Sequence, residues 1–266
     1  MANVIARNNV KVLGDGEKTI LFGHGFGCSQ SMWRLMVPFF ESKYRIVLFD
    51  YVGSGKSDLT AYDPEKYNTL NGYAQDLIEI IEELDLNNVI FVGHSVSSMI
   101  GMLASIKRPD YFENIIMIGP SPRYLNDGAY VGGFESSDVT ELLDLMEMNF
   151  EGWASFMSLL AMQNPEKPML AQELEKSFTS VDEEITRQFA KVTFLSDHRE
   201  DLAQSTVPTL IIQCSHDSIV PIEVGEFLHH HLKNSTFRLM KAKGHYPHLS
   251  HSEETARLIN EYLLLS

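Results

Sequence analysis

Cysteine is nearly absent. Cys28 and Cys214 are the two present in 266 residues, and neither sits in a Cys-x-x-Cys pair. That count excludes a disulfide scaffold and makes two free thiols in a reducing cytosol the expectation. Cys214 closes an apolar run and reads as a small buried hydrophobe. Positive charge is also scarce, with 21 Lys and Arg against 36 Asp and Glu, a net charge of −15. Such a chain repels phosphate backbones and anionic bilayers, so nucleic acid and membranes are not expected as partners. No apolar run approaches the roughly 18 residues that a membrane span needs. The opening stretch Met1–Arg7 has no basic segment followed by an apolar one, so no signal peptide is expected and the expected location is cytoplasmic. Flexible linkers, repeats and low-complexity tracts are lacking too. One domain over 1–266 with an insertion is the simplest organisation.

Nucleotide signatures are missing as well. No Gly-x-Gly-x-x-Gly follows any strand-like run. Asp50-Tyr51-Val52-Gly53-Ser54-Gly55-Lys56-Ser57 imitates a P-loop, but Asp50 stands where the leading glycine is required. His245-x-x-His248-x-x-His251 lacks the His-Glu-x-x-His spacing that brings its own general base, so no metal site is assigned to it. His229-His230-His231 falls on a helical pattern, at its solvated face. No cofactor is expected.

What the chain does contain is an alternation of apolar runs and helical patterns. Thr19–Phe22, Arg45–Phe49, Val89–Val92, Ile115–Ile118, Thr209–Gln213 and Thr236–Met240 read as strands. Several are apolar at nearly every position, as strands covered on both faces must be. Tyr73, Leu77, Ile80, Ile81 and Leu84 make a helical stripe. Ser250 followed by Glu253 predicts the cap of a closing helix. The class is α/β, a mostly parallel sheet flanked by helices. The alternation breaks over about 121–194, where helical patterns rich in Met, Phe and Trp predict an inserted helical lid. Most of these apolar residues would pack the lid onto the core, and some would line the cavity beneath it.

Gly93-His94-Ser95-Val96-Ser97 lies between a strand and a helix. A serine on so sharp a turn is lifted clear of the sheet edge, as in a Gly-x-Ser-x-Gly nucleophile elbow, with Ser97 departing from the last glycine. A free hydroxyl is a poor nucleophile, so it needs a base, and the base needs an acid to orient it. Asp217 follows the strand Thr209–Gln213, and His245 follows Thr236–Met240 after a glycine, which gives the order Ser, Asp, His. Oxyanion donors are expected from the N–H groups of Val96 and of Phe26, the latter in His24-Gly25-Phe26-Gly27 after an early strand.

These motifs together resemble the α/β-hydrolase fold family. Gly93–Gly101, Gly119-Pro120-Ser121-Pro122-Arg123-Tyr124-Leu125-Asn126 and Gly132-Gly133-Phe134 are similar to the RsbQ family. So are Arg187-Gln188-Phe189-Ala190 and Ser196-Asp197-His198-Arg199-Glu200-Asp201-Leu202. That family includes the plant strigolactone and karrikin receptors, which share a serine at the position of Ser97, where RsbQ has glycine. The resemblance implies a four-helix lid over an apolar cavity and a triad of Ser95, Asp217 and His245. It implies pocket positions at Phe134, Trp153, Phe194, Ile219 and Val220. The expected activity is that of a serine hydrolase for a small hydrophobic ester or lactone. By the same resemblance it would act with a PAS-domain phosphatase of the RsbP kind as a positive regulator of a general stress sigma factor. The other expectation is a receptor for a butenolide-like molecule, with slow or vestigial hydrolysis, that signals through a protein partner.

Overall fold

A computed structural model describes residues 3–265 of the chain, so Met1 and Ala2 of the opening stretch lie outside the described residues. Among them are seven strands: β1 (Lys11–Leu13), β2 (Lys18–Gly23), β3 (Tyr44–Leu48), β4 (Val89–His94), β5 (Phe112–Ile118), β6 (Thr209–His216) and β7 (Ser235–Lys243). They form one sheet in the order β1-β3-β2-β4-β5-β6-β7. β1 is antiparallel to β3, and every other neighbouring pair is parallel. The six strands read from the sequence are β2 to β7. β1 carries three exposed side chains and no apolar pattern, so only its backbone pairing with β3 makes it a strand.

The described residues also form ten α-helices: α1 (Val4–Arg7), α2 (Leu70–Glu83), α3 (Val96–Lys107), α4 (Ser136–Met148), α5 (Phe150–Met162), α6 (Pro168–Thr179), α7 (Glu183–Phe194), α8 (Ile222–His231), α9 (Pro247–Ser250) and α10 (Ser252–Leu263). Helices cover both faces because successive strand side chains point to opposite sides. Leu21, Phe91, Ile115, Met117 and Ile211 pack on one face with the Tyr73–Ile81 stripe of α2 and with Met99, Ile100 and Leu103 of α3. Ile20, Phe22, Ile90, Val92, Ile116, Ile118, Leu210 and Ile212 point the other way, onto Trp33, Phe40 and the Ala256 and Ile259 side of α10. Cys214 is buried there as a free thiol.

α4 to α7 all lie between β5 and β6. The expected cap of the closing helix needs correction. Pro247 nucleates α9 one turn early, so Ser250 is already helical and its hydroxyl donates to the carbonyl of Tyr246 at 3.2 Å. α10 begins after His251 with no side-chain cap. No helix among the described residues is long and apolar enough to cross a membrane.

Candidate active site

In a parallel sheet all carboxyl ends share one edge, and loops leaving that edge meet. β2, β4, β6 and β7 deliver Phe26, Ser95, Asp217 and His245 there. Ser95 takes φ 54° and ψ −121° between β4 and α3. A non-glycine residue held in this region costs on the order of 1–3 kcal/mol and persists only where its surroundings enforce it. Here the Ser95 N–H donates to the carbonyl of Ile118 at 2.8 Å. A Cβ at position 93 would sit 2.7 Å from the backbone of Ser97, so strand and helix can pass only because Gly93 has none.

The three expected side chains form one hydrogen-bonded chain. His245 Nε2 lies 2.8 Å from Ser95 Oγ, and His245 Nδ1 lies 2.7 Å from Asp217 Oδ2. Asp217 Oδ1 accepts from the N–H groups of Ile219 and Val220 at 2.8 and 3.1 Å. With both carboxylate oxygens engaged, Nδ1–H is the tautomer that fits, and Nε2 is left to accept from the serine. The main chain of His245 is held on both sides. Its N–H donates to Ala161 at the end of α5, at 2.7 Å. Its carbonyl accepts from His94 Nε2, also at 2.7 Å. Burial, reinforced by His248 and His245, pushes the pKa of His94 well below the usual imidazole value, so it is neutral. His248 is the second residue of α9. It is buried, with its ring 4.4 Å from that of His94 and 4.5 Å from that of Trp33.

Val96 opens α3, and the first N–H groups of a helix have no partner within it. Phe26 and Ser95 line one small cavity of about 20 Å³, shared with Tyr124, Met157 of α5, Phe178 of α6, Phe194 of α7 and Ile219. Of the expected pocket residues, Phe194 and Ile219 are on its wall. Phe134 stands behind Phe194, with ring centres 6.2 Å apart. Trp153 backs Phe26 and Phe178 at 6.0 and 5.2 Å. Val220 is set back and fully buried, and its N–H serves Asp217. Tyr124 was not read from the sequence as a site residue, yet its hydroxyl is 3.2 Å from Ser95 Oγ. The available signal was its position in the segment that leaves β5, at the same sheet edge. Phe178 and Met157 had no such signal, because only the packing of α5 and α6 brings them here.

The remaining motifs fall elsewhere. The loop after β3 cradles its own carboxylate instead of a phosphate. Asp50 accepts from the N–H groups of Gln30 and Lys56 at 2.7 and 2.9 Å and from Asn9 Nδ2 at 2.7 Å. His229, His230 and His231 are exposed at the end of α8. Among the described residues no three His, Cys, Asp or Glu side chains gather as a metal cage.

Comparison with known proteins places this geometry in a family. The profile of the alpha/beta hydrolase family matches residues 20–258. The karrikin insensitive 2 receptor CA of Petunia hybrida is 41% identical over 94% of this chain and 93% of its own. A strigolactone esterase of Arabidopsis thaliana is 38% identical over 98% of both. The solved structure of a hydrolase from Oleispira antarctica superposes with a TM-score of 0.97 at 42% identity, covering 99% of this chain and 97% of that one. The RsbQ-like blocks are consistent with these matches. The chain therefore belongs to the alpha/beta hydrolase family.

Proposed function

We propose that the protein is a serine hydrolase that cleaves a small hydrophobic ester or lactone through an acyl-enzyme on Ser95. The unbroken chain from Asp217 through His245 to Ser95, at 2.7 and 2.8 Å, carries this reading. Ser95 Oγ attacks the carbonyl carbon as its proton passes to His245 Nε2. Asp217 keeps the imidazole oriented and stabilises the imidazolium. The N–H groups of Phe26 and Val96 receive the developing oxyanion. His245 then protonates the leaving oxygen. Later it takes a proton from the water that attacks the acyl carbon, and the acid and free serine are released. The aromatic wall of Phe26, Phe178 and Phe194 favours an apolar acyl group. Labelling with a small sulfonyl fluoride tests the assignment: wild type is modified on Ser95, and equal labelling of Ser95→Ala would sink it.

The resemblance supports a signalling role for this chemistry. It would be cytoplasmic, with a PAS-domain phosphatase as partner and a general stress sigma factor as the target of positive regulation. Capture of such a phosphatase from cell extract tests this. Lack of capture, with no stress defect on deletion, rejects it. A second reading is a receptor for a butenolide-like molecule, with slow or vestigial hydrolysis, that signals through a protein partner. Similarity to a karrikin receptor and a strigolactone esterase favours it. A single burst of product without turnover marks the receptor, and steady turnover marks the hydrolase.

A further inference from the structure

Ser97, the residue that breaks the Gly-x-Ser-x-Gly pattern, is fully buried and reaches the loop that carries Phe26. Its Oγ donates to the carbonyl of His24. The Tyr51 hydroxyl lies 2.7 Å from the same Oγ. A carbonyl can only accept, so the single Ser97 proton goes to His24 and Tyr51 must donate to Ser97. Tyr51 grips the loop a second time, through its main-chain N–H to His24 Nε2 at 3.2 Å. That bond leaves the His24 proton on Nδ1, where it donates to the carbonyl of Gly25 at 2.9 Å. Space for the arrangement comes from Gly23, where a Cβ would stand 3.0 Å from both Ser97 Oγ and Tyr51 Oη and 2.8 Å from the Phe91 ring.

We propose that the Ser97 hydroxyl, oriented by Tyr51, is a positioning group for the oxyanion site. It fixes His24, and therefore the Phe26 N–H two residues on, relative to the Val96 N–H of its own helix. The inference rests on the reading of Ser95 as nucleophile and of Phe26 and Val96 as oxyanion donors. Ser97 belongs to the first turn of α3, which Val96 opens, so one hydrogen bond joins the frames of the two donors. Donors that stabilise a transition state act through fixed geometry, so a loosened loop costs rate and leaves ground-state binding largely intact.

The test compares Ser97→Ala, Tyr51→Phe and the double variant on an aryl acetate and on its thionoester, in which sulfur replaces the carbonyl oxygen. Ser97→Ala is expected to lower kcat on the oxygen ester about 10- to 100-fold with KM within about twofold, less than the loss of a whole donor. The thionoester uses the oxyanion donors poorly, so its rate falls less and the ratio of oxygen-ester to thionoester rate drops. Tyr51→Phe keeps the ring and its packing, and shifts the ratio in the same direction by a smaller amount. The double variant is no worse than Ser97→Ala, because both act through one chain of bonds. If Ser97→Ala does not fold, Tyr51→Phe alone decides. A wild-type ratio in the folded variants overturns the inference while leaving the hydrolase reading standing. Wild-type turnover by Ser95→Ala overturns both.

Discussion

The main-chain N–H of His245 donates to the carbonyl of Ala161, which ties the imidazole loop to the last turn of α5. Two neighbours extend the tie. Asn164 Nδ2 bridges the carbonyls of Met162 and Lys243 at 2.5 and 3.0 Å. The Gln163 carboxamide accepts from the N–H of Ser218 at 3.1 Å and also bonds its hydroxyl, next to Asp217. The end of α5 is thus stitched to both loops that hold Asp217 and His245.

Asn164→Ala leaves the Met162 and Lys243 carbonyls without this donor. The expected loss is about 1–3 kcal/mol of stability, read from urea unfolding, together with a fall in kcat. Unchanged stability and turnover would show that the tie is idle.

Substitution of Asp217, the proposed orienting acid, separates geometry from chemistry. Asp217→Asn keeps the shape but no longer favours the Nδ1–H tautomer of His245, and kcat is expected to fall on the order of ten-thousand-fold. Steady-state kinetics on an aryl ester reads this out, with Ser95→Ala as the floor. A loss under tenfold contradicts the role given to Asp217.

Phe194 is 4% exposed and wedged between Phe26, Tyr124 and Phe134. Phe194→Ala should cost about 3–5 kcal/mol, since surrounding aromatics close such a hole only in part. It should also shift preference toward longer acyl chains, measured as relative kcat/KM across a series of aryl esters. An unchanged chain-length profile argues that Phe194 does not bound the acyl site.

Buried imidazoles predict acid sensitivity. Burial, then His245 and Arg34, lower the pKa of His248 to about 3, and His24 and His94 shift in the same direction. Below about pH 6.5 the unfolded chain takes up protons that the folded chain refuses, so stability is full above that pH and declines as pH falls. His248, shifted from the usual imidazole value to about 3, contributes about 1.4 kcal/mol per pH unit within its window. Urea unfolding at pH 7, 6 and 5 should show a slope that His248→Phe makes shallower by about that amount. An identical slope in the variant refutes the assignment.

The meeting of Ser95, Asp217 and His245 was legible in the sequence because each lies within two residues of a strand end. Ser95, Asp217 and His245 needed only the order of elements and the rule that parallel strands end together. Ser97 was visible as a departure but not as a bond, since its partners His24 and Tyr51 leave β2 and β3, far away along the chain. The cavity wall was legible only in part. Phe194 and Ile219 came from resemblance, whereas Met157 and Phe178 depend on how four helices pack, which periodicity does not encode. β1 went unread and the start of α10 was misread, both for local reasons. Pairing with β3 overrode a patternless sequence in the first, and Pro247 moved a helix start in the second.

The parallel sheet has a second edge, where chain enters the strands instead of leaving them. At that edge the exposed Asp85, Asn87 and Asn88 carry the chain from α2 into β4, with φ near +50° at Asp85 and Asn88. The loops that carry Phe26, Ser95, Asp217 and His245 all leave the opposite side. New termini from a circular permutation, or a reporter domain spliced into this turn, would therefore sit a full strand length from the serine and leave its partners undisturbed.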